Sequence, residues 1–234
     1  MKKLTLFSYN GIITILRKEV VNLVAKDNQV SITVVRRLPK YYRYLTELKE
    51  KGISRISSQE LSVLTGFTAS QIRQDFNNFG GFGQQGYGYN VEDLHRELKK
   101  ILGLDSNYNA VIVGAGNLGQ AIANYKGFED AGFKVLSLFD RNPRVIGLKI
   151  RDIEIRDIET IDSFIKENNV QIGIITTPKE SAQSVADIYV KNGIKGIWNF
   201  APTDLVVPDN VVVEHVRLNE SLFVLSYFLR AMNE

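Results

Sequence analysis

The sequence predicts an α/β protein: an N-terminal winged helix-turn-helix domain, a Rossmann-type doubly wound parallel sheet, and a C-terminal helix. Three observations lead there. Two capped helical stretches flank a short turn at Gly66, the pattern of a helix-turn-helix. A glycine-rich run, Gly80 to Tyr89, then sets aromatic residues on both sides of a turn. Finally, the apolar strand Ala110 to Val113 runs straight into Gly114-Ala115-Gly116-Asn117-Leu118-Gly119, the G-x-G-x-x-G turn of dinucleotide-binding folds.

Length and composition agree with two units. The chain has 234 residues, more than the roughly 100 to 200 of a usual single domain. The absence of cysteine excludes disulfides, thiolate-held metals, iron–sulfur clusters and thiol switches. A redox signal would have to arrive as a ligand. Met1 to Arg17 carries lysines ahead of apolar residues, but Asn10 and Gly11 interrupt it, so no signal peptide is expected. No apolar run approaches the ~20 residues of a membrane span, which points to the cytoplasm. Charge is lopsided: residues 1–107 hold 16 Lys and Arg against 10 Asp and Glu, a net of +6, whereas residues 108–234 hold 13 against 16. The basic half suits a polyanionic partner, although a solvated basic surface would read the same way.

Residues 1–35 fit neither the helical nor the strand period for long. They read as an extension or as a helix packed on the first domain, with Val30 to Val35 a candidate short strand. The first domain is expected over 36–107. Tyr41, Leu45 and Leu48 recur at helical spacing until Gly52, which gives the first helix. Ser57-Ser58-Gln59-Glu60 is a capping box and opens a second helix that Gly66 ends. A second box, Thr68-Ala69-Ser70-Gln71, opens the third. There Ile72, Phe76 and Phe79 form one buried stripe, leaving Ser70, Gln71, Arg73, Gln74 and Asn77 outward. Such side chains match base edges, since arginine forks onto guanine and glutamine or asparagine onto adenine; an ordinary polar helix face is the alternative. The Gly80–Tyr89 run lies outside any strand-to-helix turn, so it reads as a wing rather than as a phosphate cradle.

The second domain is expected over 108–216. Its glycine turn would let a pyrophosphate approach the backbone at the start of a helix, where free amides and the helix dipole favour an anion. Gly114, Gly116, Asn117, Leu118 and Gly119 are the candidate contacts. A second strand, Lys134 to Phe139, ends in Asp140, about 20 residues past the last glycine, where a carboxylate accepts ribose hydroxyls. Its charge favours NAD over NADP. Strand-like Val170–Ile175 and Gly196–Trp198 lead into Thr176, Thr177 and Asn199. These three sit where an open sheet binds ligands and are candidates either for cofactor contact or for turn-making. An oxidoreductase needs an acid or base beside the nicotinamide, and His215 is the one candidate there. With little chain left for a substrate domain, catalysis is the weaker reading, and neither a catalytic residue nor a metal site is assigned.

From Arg36 onward the chain resembles the Rex redox-sensing transcriptional repressors. The residues are Arg37-Leu38-Pro39 with Tyr42 and Arg43, Ser70-Gln71-Ile72-Arg73 with Asp75-Phe76, and Gly86-Tyr87-Gly88-Tyr89-Asn90. Gly114 to Gly119, Tyr125-Lys126-Gly127-Phe128, Gly193-Ile194-Lys195-Gly196 and Asn199-Phe200-Ala201-Pro202 complete the set. The resemblance implies an NAD(H)-sensing homodimer, released by NADH from a palindromic duplex DNA operator. It adds Arg43 to the DNA-contacting residues and Tyr125 to those near the nicotinamide. It also implies that the C-terminal segment 217–234 swaps into the partner subunit. Leu222, Phe223, Leu225, Phe228 and Leu229 cover too many faces for a lone surface helix. Two departures stand out. Gln84 and Gln85 occupy a wing tip that is basic in the family, and Arg217 stands where the family has an acidic partner for the tyrosine matching Tyr125. Arg217 is therefore expected either to disfavour the charged NAD+ ring or to face solvent or pair with Glu214 or Glu220.

Overall fold

The computed structural model describes residues 30–84 and 87–232, with the side chains of Gly83 and Gln84 left aside. The expectations for residues 1–29 and for the wing-tip glutamines therefore lie outside the described residues. The chain divides between Ser106 and Asn107 into two compact units.

The first unit opens with a correction. Val30 to Val35, rich in β-branched residues, is not a strand: the Ser31 hydroxyl accepts the Val34 amide at 3.4 Å and caps a short helix, α1 (Ile32–Val35). Val30 and Val34 are buried in the core of this unit. Packing and a cap outweigh β propensity, which mostly reflects fit to a half-buried sheet. These residues belong to the first unit and not to an extension ending at residue 35.

Helix α2 (Leu38–Glu50) carries Pro39 in its first turn, where no intrahelical amide is needed, and buries Leu38, Tyr41, Leu45 and Leu48. After the short strand β1 (Arg55–Ile56) comes α3 (Ser58–Thr65). Its capping box is complete: the Glu60 amide reaches the Ser57 hydroxyl at 3.1 Å and the Ser57 amide reaches the Glu60 carboxylate at 2.7 Å. That backbone donor, with the Ser57 hydroxyl, holds the Glu60 carboxyl below its ordinary pKa. Gly66, at φ 73°, ends the helix in the left-handed region. Helix α4 (Ala69–Asn77) starts on the Thr68 hydroxyl alone, which accepts the Gln71 amide at 3.2 Å. The return bond that a second full box requires is not made.

Strands β2 (Gly83–Gln84) and β3 (Gly88–Asn90) complete the wing in an antiparallel sheet of order β1-β3-β2. Gly88 sits at φ 71°, and a Cβ there would lie 2.7 Å from the Ile56 carbonyl oxygen. Only glycine permits that strand pairing. Helix α5 (Val91–Ile101) closes the unit over Val91, Leu94 and Leu98. The expected stripe on α4 is revised at its end. Ile72 and Phe76 are buried, but Phe79 lies past the helix and is only partly covered, while the charged Asp75 is buried instead.

The second unit is a seven-stranded sheet of order β10-β9-β8-β4-β5-β7-β6. Its strands are β4 (Tyr108–Val113), β5 (Phe133–Asp140), β6 (Lys149–Ile150), β7 (Ile153–Asp157), β8 (Ile172–Ile175), β9 (Gly196–Asn199) and β10 (Val212–His215). All pairs are parallel except β6 with β7. The helices are α6 (Asn117–Asn124), α7 (Gly127–Asp130), α8 (Ile161–Glu167), α9 (Lys179–Lys191) and α10 (Leu218–Ala231). From β4 the chain moves outward through β5 to β7, then returns to the other side of β4 as β8. The strand order therefore reverses at the carboxyl ends of β4 and β8, the point where open α/β sheets bind ligands. Beneath it, the fully buried Tyr189 lies on Gly173, where a Cβ would strike the ring, and its hydroxyl donates to the Ile174 carbonyl at 2.9 Å. Burial raises its pKa well above the ordinary value.

Helix α10 contrasts with these elements. Its large apolar side chains are more than half exposed, from Leu225 and Leu229 at 53% to Tyr227 at 70%. Among the described residues no helix is long and apolar enough to cross a membrane.

One titratable group inside the first unit gives a pH test. His95 of α5 stacks on Tyr42 with ring centroids 4.6 Å apart, and its Nε2 lies 3.2 Å from the Thr46 hydroxyl. Burial lowers its pKa below 6.5, and the Lys49 and Lys99 charges push the same way. A histidine held neutral in the fold contributes stability above its unfolded pKa and loses it as pH falls. Melting followed by circular dichroism from about pH 7 to pH 5 should show a falling Tm that flattens in His95→Gln.

Candidate functional site

The sheet crevice is built from the end of β4. Gly114 turns the chain at φ 105°, and its amide donates to the Phe139 carbonyl at 2.8 Å. The next amide, of Ala115, donates to Asp140 Oδ2 at 2.7 Å, while Asp140 Oδ1 accepts the Asn142 amide at 2.9 Å. Asp140, at the end of β5, thus organises the glycine turn while staying half-exposed. Gly116 then caps α6 with no side-chain bond of its own, leaving the first-turn amides of Asn117 and Leu118 at an uncapped helix start.

The three glycines differ in what they serve. A Cβ on Gly119 would strike the Gly114 carbonyl and lie 2.9 Å from Thr176 Oγ1, and one on Gly114 would lie 2.9 Å from Thr176. Those two glycines let α6, β4 and β8 approach one another. Gly116 has nothing within 4 Å of where its Cβ would be. The fold makes no demand for glycine there, whereas a ligand against the backbone would.

Of the remaining predicted residues, two have their polar groups engaged inside the protein. The Thr176 hydroxyl donates to the Gly114 carbonyl at 2.8 Å, with the Val113 carbonyl also within reach at 3.1 Å. Asn199 is fully buried: Oδ1 accepts the Ala201 amide at 3.0 Å, and Nδ2 donates to the Thr203 carbonyl at 2.8 Å and lies 3.0 Å from His215 Nδ1. Thr177 differs, since its buried Oγ1 has no hydrogen-bond partner among the described residues. Tyr125 ends α6 and is 61% exposed, its ring lying over Gly127 and edge-on to Phe128.

Arg217 is neither free in solvent nor paired with Glu214 or Glu220. Its Nη1 donates to the Ala201 carbonyl at 2.9 Å and its Nη2 to Asp204 at 2.8 Å. The cause is local: Arg217 precedes α10 in an extended conformation, so its side chain crosses to the loop after β9 instead of running along the helix.

In the first unit, α4 brings the predicted polar set together. Ser70, Arg73, Gln74 and Asn77 are exposed and Gln71 is half-exposed, while Ile72 and Phe76 face the core. Arg73 Nη1 donates to the Ser58 hydroxyl at 2.8 Å, which ties the surface to the start of α3. Arg43 stands apart. It is exposed on α2, its guanidinium 4.7 Å from the Tyr44 ring centre. It is two residues from Tyr41, which packs on Phe76 of α4, and therefore about 200° round the helix from that contact. Sequence reasoning also missed the partners of Asp75, Arg37 and Tyr41. The available signal was a carboxylate three residues after Ile72, on the buried face. Among the described residues no His/Cys/Asp/Glu group could hold a metal ion.

Two family models match the chain: a CoA binding domain over residues 105–203 and a putative DNA-binding protein N-terminus over residues 29–77. It is 64% identical over 204 residues to the redox-sensing transcriptional repressor Rex of Clostridioides difficile (strain 630), covering 87% of this chain and 97% of that one. Among solved structures it is similar to RSP in complex with β-NAD+ and operator DNA, at 60% identity and a TM-score of 0.83, covering 87% of this chain and 94% of that chain. RSP in complex with β-NADH matches at 57% identity and a TM-score of 0.82, over 87% and 96%.

The contrast between glycines is testable. Gly119→Ala should lower the Tm of the free protein by several degrees, because backbone cannot yield as a side chain can. Gly116→Ala should leave the Tm within about a degree of wild type. Differential scanning calorimetry without ligand separates the two.

Proposed function

The chain belongs to the Rex family of redox-sensing transcriptional repressors, and from that premise we propose how its residues divide the work. Helix α4 reads duplex DNA in the major groove through Ser70, Gln71, Arg73, Gln74 and Asn77, with the wing and Arg43 on the flanking backbone. The crevice at β4, β5 and β8 takes NAD(H), and NADH releases the repressor from its operator. The relative RSP supports this division, having been solved with β-NAD+ and operator DNA together and separately with β-NADH. The oxidoreductase alternative, with His215 as base, gives way to the family, whose members are regulators.

The single observation carrying the cofactor reading is Gly116, a glycine beside which the fold leaves open space. It fits a pyrophosphate resting on the amides of Asn117 and Leu118. Asp140 keeps acceptor capacity for ribose hydroxyls beyond the two amides it holds, and its charge opposes a 2′-phosphate. The unpartnered Thr177 hydroxyl is suited to a polar group of the ligand, since buried polar atoms are seldom left unpaired. Thr176 and Asn199 act through the turns that they hold, and Tyr125 borders the nicotinamide. The cofactor supplies a ring that is positively charged when oxidised and neutral when reduced, a difference to be read without any hydride transfer.

The working form is a homodimer in the cytoplasm. Helix α10, whose apolar faces are exposed within one chain, swaps into the partner. An apolar surface of that extent on a lone subunit marks an interface.

Two measurements test the division. Calorimetry should give tighter binding of NADH than of NADPH, with Asp140→Ala weakening NADH about tenfold, near 1.4 kcal/mol, and narrowing the gap. Coenzyme A serves as the control ligand. Operator selected from random duplexes should bind Arg73→Ala more weakly by about 1 to 3 kcal/mol, with relaxed specificity at one base pair.

A further inference from the structure

Beneath the surface of α4 lies a charge that the surface itself does not use. Asp75 is 1% exposed. Arg37 grips it with two donors, Nε to Oδ2 at 2.7 Å and Nη2 to Oδ1 at 2.6 Å, and the Tyr41 hydroxyl donates to Oδ2 at 2.6 Å. The Arg37 side chain is itself only 13% exposed. Its guanidinium lies 5.8 Å from the centre of the Phe67 ring in the turn before α4, and Tyr41 packs edge-on to both Phe67 and Phe76. The start of α2 therefore touches α4 and its preceding turn through one connected cluster.

We propose that Arg37, Asp75 and Tyr41 are positioning residues that set the rotation of α4 about its own axis and so its sequence discrimination on DNA. The inference rests on α4 being the DNA-reading helix. A buried ion pair contributes little stability over apolar residues of similar volume, although removing one partner alone is costly. What the pair adds is direction. A planar fork on a carboxylate fixes orientation as well as distance, whereas apolar packing lets a helix roll. A side-chain tip about 6 Å from the helix axis moves about 2 Å for a roll of about 20°. Hydrogen bonds to base edges tolerate only about 0.5 Å. A small roll would leave the polar set exposed and the domain folded, yet misaligned with the bases. Phosphate attraction, being insensitive to such shifts, would persist.

The test uses the full-length protein and the variant Arg37→Met/Asp75→Leu, which replaces both charges together. Affinity for the selected operator and for a scrambled duplex is measured over a range of salt, alongside thermal melting. The expected result is a Tm at or above wild type, unchanged scrambled-DNA affinity and salt slope, and at least a tenfold loss in the operator-to-scrambled ratio. Tyr41→Phe, which deletes one hydrogen bond and keeps the ring, should lower the ratio in the same sense. It carries the test if the double variant folds poorly. An unchanged ratio in Tyr41→Phe and in a folded double variant overturns the proposal. So does a shallower salt slope, which would make Arg37 a phosphate contact, or an equal loss on both duplexes, which would make the cluster a stability element only. If wild type selects no sequence at all, the DNA-reading assignment itself fails, and the cluster has nothing to position.

Discussion

The carbonyl oxygen of Gly114 is the point on which the second unit's crevice depends. Thr176 donates to it from the end of β8, and Gly119 of α6 comes so close that a Cβ could not be inserted. Strand, neighbouring strand and helix are drawn to one atom, and the turn between Gly114 and Gly119 has no freedom left. The Ala115 amide is held by Asp140. Gly116 is thereby left at the lip of the turn with open space beside it. The open lip of the turn is a by-product of the close packing behind it, in which the Thr176 hydroxyl serves as a brace.

The first unit solves the comparable problem with charge. Helix α4 holds a polar face outward while its inner face sits on a hydrophobic core, and oily contacts restrain rolling weakly. Asp75 interrupts the inner face of α4 with a carboxylate whose partners come from α2. Directional bonds inside a small core cost desolvation and return orientation. Glycine packing in one unit and a buried ion pair in the other thus do the same task, fixing the placement of a helix.

Helix α10 belongs to neither core. Its apolar residues recur on all sides, and each buried Å² of such surface is worth about 25 cal/mol. A single chain forgoes that stabilisation. Arg217 anchors the segment just before the helix to Ala201 and Asp204, and this settles where α10 departs from the sheet.

Local rules made much of this protein legible in advance. The capping box at Ser57, the left-handed stop at Gly66, the G-x-G-x-x-G turn and the strand ending in Asp140 each depend on residues close in sequence, with backbone requirements that few side chains meet. The outward set on α4 was equally legible, because helical spacing alone assigns faces. Tertiary structure decided the rest. Ile32 to Val35 became helical through a cap at Ser31 and a core beneath it. Asp75 was buried because Arg37, 38 residues away, supplied the countercharge. The hydroxyl of Thr176 and the amide of Asn199 were claimed by carbonyls and a histidine that spacing cannot bring together, and Arg217 found Asp204 across a loop. Sequence determines what each stretch of backbone can adopt, since those limits are local. Which polar atoms remain free for a ligand is fixed only when distant segments meet, because each hydrogen bond made inside the fold is one withdrawn from the surface.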